Sequence, residues 1–271
     1  MNNTIYIKKS KLDQFYTNTD VANMCYEKIW KFVSKRNFNL FLEPFAGSGS
    51  FFNLMPKTKR VGLDLEPKAD FIIKTDFFDY VAPENKKIIT ITNPAFGKNC
   101  SIATKAFNKA AEFSIVIAMI IPKTFRKQSL QNKLNLNFKL VFDMDLPKNS
   151  FILNNEPYDV PCCFQIWQKS ESKRDISIVD LNNNYFDFTI KSDSDFAIRR
   201  VGGRAGKAFL DVAKCSNSSN YFLKFKKNKL DDFIKKVNNV DFSSISNSTA
   251  GVRSISKQEL ISKLREEIVD F

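Results

Sequence analysis

Seven short apolar runs, interleaved with stretches of helical period, limit what this chain can fold into more than any other feature. The runs are Leu40–Glu43, Val61–Leu65, Phe71–Lys74, Ile88–Thr92, Ile115–Ile121, Leu140–Met144 and Val160–Gln168. Each reads as a strand. Helical stretches fit between several of them, at Ser50–Met55, Ile102–Glu112 and Phe125–Leu134. A further helix is predicted ahead of them, N-capped by Thr19 or Asp20 and running to about Arg36. It carries Val21, Met24, Ile29, Phe32 and Val33 on roughly one face. Alternating strands and helices predict a Rossmann-like α/β fold, a doubly wound and mostly parallel seven-stranded sheet. The last two runs are joined by Pro147–Asp159, which shows no helical pattern and permits an antiparallel hairpin at the sheet edge, giving the sheet an antiparallel edge strand.

The rhythm changes after Lys169. Glu171–Asp195 is polar and rich in Asn, Asp and Ser. Beyond it, Phe196–Val201 and Tyr221–Phe225 read as short strands, and Lys229–Val237 as a helix. A last helix starts at Ser256, which forms a capping-box pattern with Glu259, and runs to about Val269. The predicted division is therefore residues 1–170 and a small α+β region, residues 171–271.

Charge and composition narrow the chemistry. The formal net charge is +13 and the pI about 9.4. Such a balance points to a polyanionic partner, nucleic acid before an anionic membrane surface, with a solvated Lys-rich surface as the plain alternative. The five cysteines have no CxxC spacing, and Cys162 and Cys163 are adjacent. They read as reduced thiols of a cytosolic or nuclear protein. The chain has no histidine, which excludes Ser-His and Cys-His nucleophilic pairs, imidazole acid–base work and His-ligated zinc. No metal is expected. The N-terminus shows no signal-peptide pattern, and the longest apolar stretch, Ile115–Pro122, is far short of a membrane span, so a soluble protein is expected.

The first run ends in Glu43-Pro44-Phe45-Ala46-Gly47-Ser48-Gly49-Ser50-Phe51. Glycines there let the chain turn tightly and approach a ligand closely. The carboxyl ends of strands are also where open α/β sheets bind ligands. The turn lacks the third glycine of the dinucleotide fingerprint, replaced by Phe52, and the lysine of a P-loop. The second run ends at Asp64, where a carboxylate can accept from both hydroxyls of a ribose. The third leads to Asp76-Phe77-Phe78, an acceptor for an exocyclic adenine amine beside an aromatic. Glu43 adds an anion suited to an ammonium group.

The fourth run leads into Asn93-Pro94-Ala95-Phe96-Gly97, where Pro94 keeps Asn93 extended. In this setting the sequence resembles the amino-methyltransferases that carry an Asn/Asp-Pro-Pro-Tyr/Phe/Trp motif, in particular the N6-adenine DNA methyltransferases. The resemblance covers roughly residues 13–168. Gln14-Phe15-Tyr16-Thr17 resembles the family's N-terminal cofactor segment, and Glu43–Gly49 its first motif. Asp64 and Asp76-Phe77 resemble the next two. Leu146–Phe151 and Val160–Trp167 resemble its later strands. Ala95 stands where the family has its second proline.

The resemblance implies an S-adenosylmethionine-dependent methyltransferase fold for residues 1–170. It implies transfer to N6 of adenine in DNA, with RNA as the alternative and the target base flipped out. The Asn93 side-chain oxygen and the Pro94 carbonyl would accept the two amine hydrogens, and Phe96 would stack on the base. Tyr16, Thr17, Glu43, Phe45, Gly47, Gly49, Asp64, Leu65, Asp76 and Phe77 would hold the cofactor. Lys98 and Phe164 are expected at the substrate, Phe164 as a second stacking ring with core packing as its plain alternative.

The basic loop Arg199–Lys207 offers Arg199, Arg200, Arg204 and Lys207 to phosphates. The lysines from Lys224 to Lys236 extend the positive region, and Ser248–Arg253 resembles the end of a recognition region. The region is short for an independent sequence reader, so a homo- or hetero-oligomer is an open expectation. A different class also stays open: a catalytically weak nucleic-acid-binding module of the same fold. The basic C-terminal region argues against protein glutamine methylation, which uses a similar motif.

Overall fold

The N-terminal unit, residues 1–176, runs β1 (Tyr16–Thr17), α1 (Thr19–Ile29), β2 (Leu40–Pro44), β3 (Arg60–Asp64), β4 (Ile72–Lys74), β5 (Ile88–Thr92) and α2 (Ser101–Ala111). It continues with β6 (Ser114–Pro122), α3 (Gln128–Gln131), β7 (Phe138–Asp145), β8 (Phe151–Leu153), β9 (Glu156–Tyr158) and β10 (Cys162–Lys169). The computed structural model describes residues 15–176, 178–247, 252–269 and 271. Gln14 and Ser248–Gly251, named above, lie outside the described residues.

The apolar runs pair into one seven-stranded sheet, ordered β4-β3-β2-β5-β6-β10-β7. The pairs from β4 to β6 are all parallel. β10 is antiparallel to both neighbours. The expected Rossmann-like sheet is therefore present, with the antiparallel pair β10 and β7 at its edge. Side-chain chemistry explains the placement. Cys162 to Trp167 are buried without a break, as a strand covered on both faces requires. β7 is largely open and carries Lys139, Asp143 and Asp145, which suit an edge strand.

Successive strand residues point to opposite faces, and a helix covers each face. Ile89, Ile91, Ala118, Ile120 and Ile166 pack with Val21, Ala22, Cys25 and Ile29 of α1. Leu42, Leu63, Ile117, Met119 and Trp167 pack with Ala103, Phe107 and Ala110 of α2.

Three predicted helices are shorter than expected. α1 is capped by Asn18, whose Oδ1 accepts from Asp20 N at 2.9 Å, rather than by Thr19 or Asp20. It stops at Ile29, where Lys31 and Phe32 donate three residues back and tighten the last turn. Ser50–Met55 holds a single 3-10 turn, Phe52–Leu54, because Pro56 disfavours helical backbone at Met55. Phe125–Leu134 divides into a 3-10 turn, Lys123–Arg126, and α3. The Pro147–Asp159 connection contains the β8–β9 hairpin, with Asn154 and Asn155 at φ +52° and +64° in the turn. β1 adds to its edge, pairing with β8.

The C-terminal unit, residues 177–271, holds β11 (Phe186–Thr189), β12 (Phe196–Arg199), β13 (Ala208–Phe209), β14 (Asn220–Phe225), α4 (Leu230–Asn239), α5 (Ser243–Ser246) and α6 (Lys257–Glu267). Its antiparallel sheet is ordered β11-β14-β12-β13. Phe186, Phe196, Ile198 and Leu223 pack with Phe233, Val237, Leu260 and Leu264 in a core of its own. The Ser256–Glu259 capping box starts α6.

Candidate functional site

The carboxyl ends of β2, β3 and β5 converge on a cavity of about 650 Å³ in the N-terminal unit. The glycine-rich turn forms one wall. Phe45 and Gly47 adopt positive φ, +64° and +50°. For Phe45 that conformation carries strain, of the kind found where a ligand clamp fixes the backbone. A Cβ on Gly47 would approach the Tyr16 ring to 3.0 Å, so glycine is required there for space as well as for φ.

Asp64 ties the turn down. Its Oδ2 accepts from Gly47 N at 2.7 Å and its Oδ1 from Glu66 N at 2.8 Å. Each oxygen keeps a further lone pair for a ligand hydroxyl. Asp76 accepts from Phe78 N at 2.9 Å and lines the same cavity. Glu43 is 2% exposed and accepts from Phe52 N. Burial pushes its carboxyl well above the ordinary range, against the lowering pull of the Phe52 and Phe51 backbone N–H groups and with Asp64 adding repulsion. Burial likewise raises the Tyr16 hydroxyl, helped by Asp64 and Glu66.

Asn93, just beyond β5, faces this wall. Its Nδ2 donates to Phe15 O at 2.9 Å and to Thr17 Oγ1 at 3.1 Å. Both amide hydrogens are thereby used, which fixes the orientation of the amide. The Oδ1 is shielded from solvent and takes no hydrogen bond among the described residues. Such an acceptor costs about 1–3 kcal/mol until a donor reaches it. Thr17 also connects the two walls, because Ser50 Oγ donates to its carbonyl at 2.8 Å. Phe96 is 9% exposed, with its ring 6.3 Å from that of Phe15. Phe15 stacks on Tyr158 at 5.2 Å.

The cavity brings together Tyr16, Thr17, Glu43, Phe45, Gly47, Asp64, Leu65, Asp76, Asn93, Pro94 and Phe96 from the sequence prediction. Other predicted residues fall elsewhere. Gly49 shapes the turn from outside the lining, at φ +83°. Phe77 is buried in the core against α2, and its neighbour Phe78 reaches the cavity instead. Phe164 is 0% exposed among core residues of the face that α1 covers, so its stacking role is withdrawn. Lys98 is exposed and outside the lining.

Arg199, Arg200, Arg204 and Lys207 belong to the C-terminal unit. Arg200 lies 5.6 Å over the Tyr221 ring, and Lys207 donates to Asn238 O. The sequence reading missed Ile102 and Lys105, which α2 delivers to the lining. Their helical spacing of three was the available signal.

Strand order and cavity together define a Rossmann-like α/β protein with a ligand crevice at the carboxyl ends of its strands. A Pyrococcus horikoshii protein provisionally named an RNA methyltransferase is similar, with a TM-score of 0.47 and 16% identity over 61% of this chain and 91% of that one. The 23S rRNA methyltransferase ErmE gives a TM-score of 0.42 and 11% identity, over 58% of this chain and 71% of its own. The Synechocystis magnesium protoporphyrin IX methyltransferase ChlM, solved with SAM bound, gives 0.41 and 9%, over 56% and 79%. No protein-family model and no curated protein matches the sequence. Among the described residues, no helix is long and apolar enough to cross a membrane.

Proposed function

We propose that this chain is an S-adenosylmethionine-dependent methyltransferase acting on an amino nitrogen, N6 of adenine in nucleic acid, with DNA the preferred substrate. The observation that carries this reading is the Asn93 amide, with both hydrogens engaged and its buried oxygen lacking a donor. An amine hydrogen is the missing donor.

The cavity residues fit the cofactor. Asp64 suits the ribose hydroxyls, Asp76 an adenine amine, and the Phe45 and Phe78 rings the adenine faces. Glu43 suits the methionine ammonium, whose charge would bring the buried carboxyl back to its ionised form. Bound there, S-adenosylmethionine supplies an electrophilic methyl group on a sulfonium.

The chain's own residues supply position and charge. Asn93 Oδ1 accepts one amine hydrogen and the Pro94 carbonyl the other, which draws the nitrogen lone pair out of conjugation with the ring. The same oxygens stabilise positive charge as it develops on the nitrogen. Phe96 packs on the base. Ala95 leaves the Pro94 carbonyl in place but makes the turn less stiff than a second proline would. The net charge of +13 supports a polyanionic substrate.

The test is a pair of variants assayed with methyl-labelled S-adenosylmethionine and duplex DNA, single-stranded DNA and RNA. Asn93→Ala should abolish transfer while leaving binding of S-adenosylhomocysteine intact. Asp64→Ala should weaken that binding itself. Full activity in Asn93→Ala would overturn the assignment.

A further inference from the structure

A second cavity, of about 900 Å³, lies wholly within the C-terminal unit. Its size suits a ligand as large as a nucleotide. Arg199, Arg204, Phe209, Lys214 and Asn220 contribute to its lining. Asn220, the first residue of β14, is 4% exposed, and its Nδ2 donates to Ser216 O at 2.8 Å. The Asn220 Oδ1 is shielded from solvent and takes no donor among the described residues. A buried acceptor left in this way favours a ligand that brings an N–H.

The cationic groups around it are differently engaged. Lys214 is held by Asp211 at 2.7 Å. Arg199 places its Nε on Val201 O at 3.0 Å, which orients the guanidinium without using its terminal N–H groups. Arg204 is exposed on the loop between β12 and β13, and Phe209 offers a half-buried ring. A buried acceptor, an aromatic ring and guanidinium groups match the three parts of a nucleotide: base edge, base face and phosphate.

We propose that this cavity holds one unstacked nucleotide of the substrate strand, its base N–H on Asn220 Oδ1, its face toward Phe209 and its phosphate on Arg199 and Arg204. The proposal rests on the nucleic-acid reading above and adds a second nucleotide-holding site to the one at Asn93. It also gives the basic loop a task beyond non-specific attraction.

The test uses the full chain and single-stranded DNA and RNA oligonucleotides carrying one 5-iodouracil, photo-crosslinked and mapped by peptide mass spectrometry. The expected adduct is on the segment from Phe209 to Asn220. Arg204→Ala, a change at an exposed side chain, should weaken oligonucleotide binding about tenfold and lower the salt dependence by about one ion. Replacing the crosslinked nucleotide by an abasic one should weaken binding about as much. Methylated nucleic acid with adducts wholly outside this segment would overturn the cavity assignment alone. No adduct and no methylated nucleoside would overturn the nucleic-acid reading and the cavity assignment with it.

Discussion

Asn93 and Thr17 are joined across 76 positions of sequence by one hydrogen bond. On the proposed reading that bond also makes Thr17 a positioning residue for the amide, beside the cofactor contact that the family resemblance implies. Thr17→Val keeps the shape and removes the acceptor. It should lower kcat about tenfold while leaving S-adenosylhomocysteine affinity unchanged, read by steady-state kinetics beside calorimetry. Asn93→Ala removes the amide altogether and should abolish transfer, where Thr17→Val only weakens it. Asn93 itself was legible in the sequence because Pro94 and the strand before it announce a strand-end turn. The Thr17 contact was not legible, because periodicity carries no information about which loops meet. Phe77 and Phe78 show the same limit. Both are aromatic and adjacent, and only the 3-10 turn after Asp76 decides which one is buried.

At the scale of elements, the glycine-rich turn joins backbone geometry to a buried carboxyl. Burial favours the acid form of Glu43, so on the proposed reading an ammonium that binds below the raised value displaces a proton. S-adenosylhomocysteine affinity should therefore rise with pH until the raised value of the free protein is passed. Glu43→Gln should be weaker and flat, and calorimetry in buffers of different ionisation enthalpy should show proton release only in the native chain.

Stability has the opposite slope. A carboxyl raised on folding favours the folded state most below its unfolded value, about pH 4.3, and that advantage is lost as pH rises through the folded value. Glu43→Gln does not titrate, so its Tm relative to the native chain should improve as pH rises. The turn after Asn93 is equally constrained, since a Cβ on Gly97 would meet Ile102 Cγ1 at 2.6 Å. Gly97→Ala should cost about 1–3 kcal/mol in denaturant unfolding and reduce transfer as well.

The seven strands of the large sheet were legible to within one or two residues because their runs are apolar and short, whereas the short strands β1, β8, β9, β11 and β13 did not stand out as such runs. Three of the six predicted helices were overextended, at Ser50–Met55, Phe125–Leu134 and beyond Ile29, where 3-10 turns follow or replace helix. The antiparallel pairing at the sheet edge was legible, because the connection Pro147–Asp159 shows no helical pattern.

At the scale of the whole molecule, each unit has its own hydrophobic core. Residues 1–176 alone should therefore fold and bind S-adenosylhomocysteine, but lose most affinity for nucleic acid, which fluorescence anisotropy with labelled oligonucleotides would show. Binding by the full chain should weaken steeply with salt. The division into two units was partly readable, because the change in rhythm after Lys169 stands out in composition. The second cavity was not, since its buried Asn220 gives no signal in sequence. What the cavity in the N-terminal unit does is tested most directly by the chemical identity of the product. Nucleic acid incubated with the full chain and methyl-labelled S-adenosylmethionine should, after digestion to nucleosides, carry its label on N6 of adenine. Label on a ring carbon, or cofactor binding with no labelled nucleoside at all, would contradict the role assigned to Asn93.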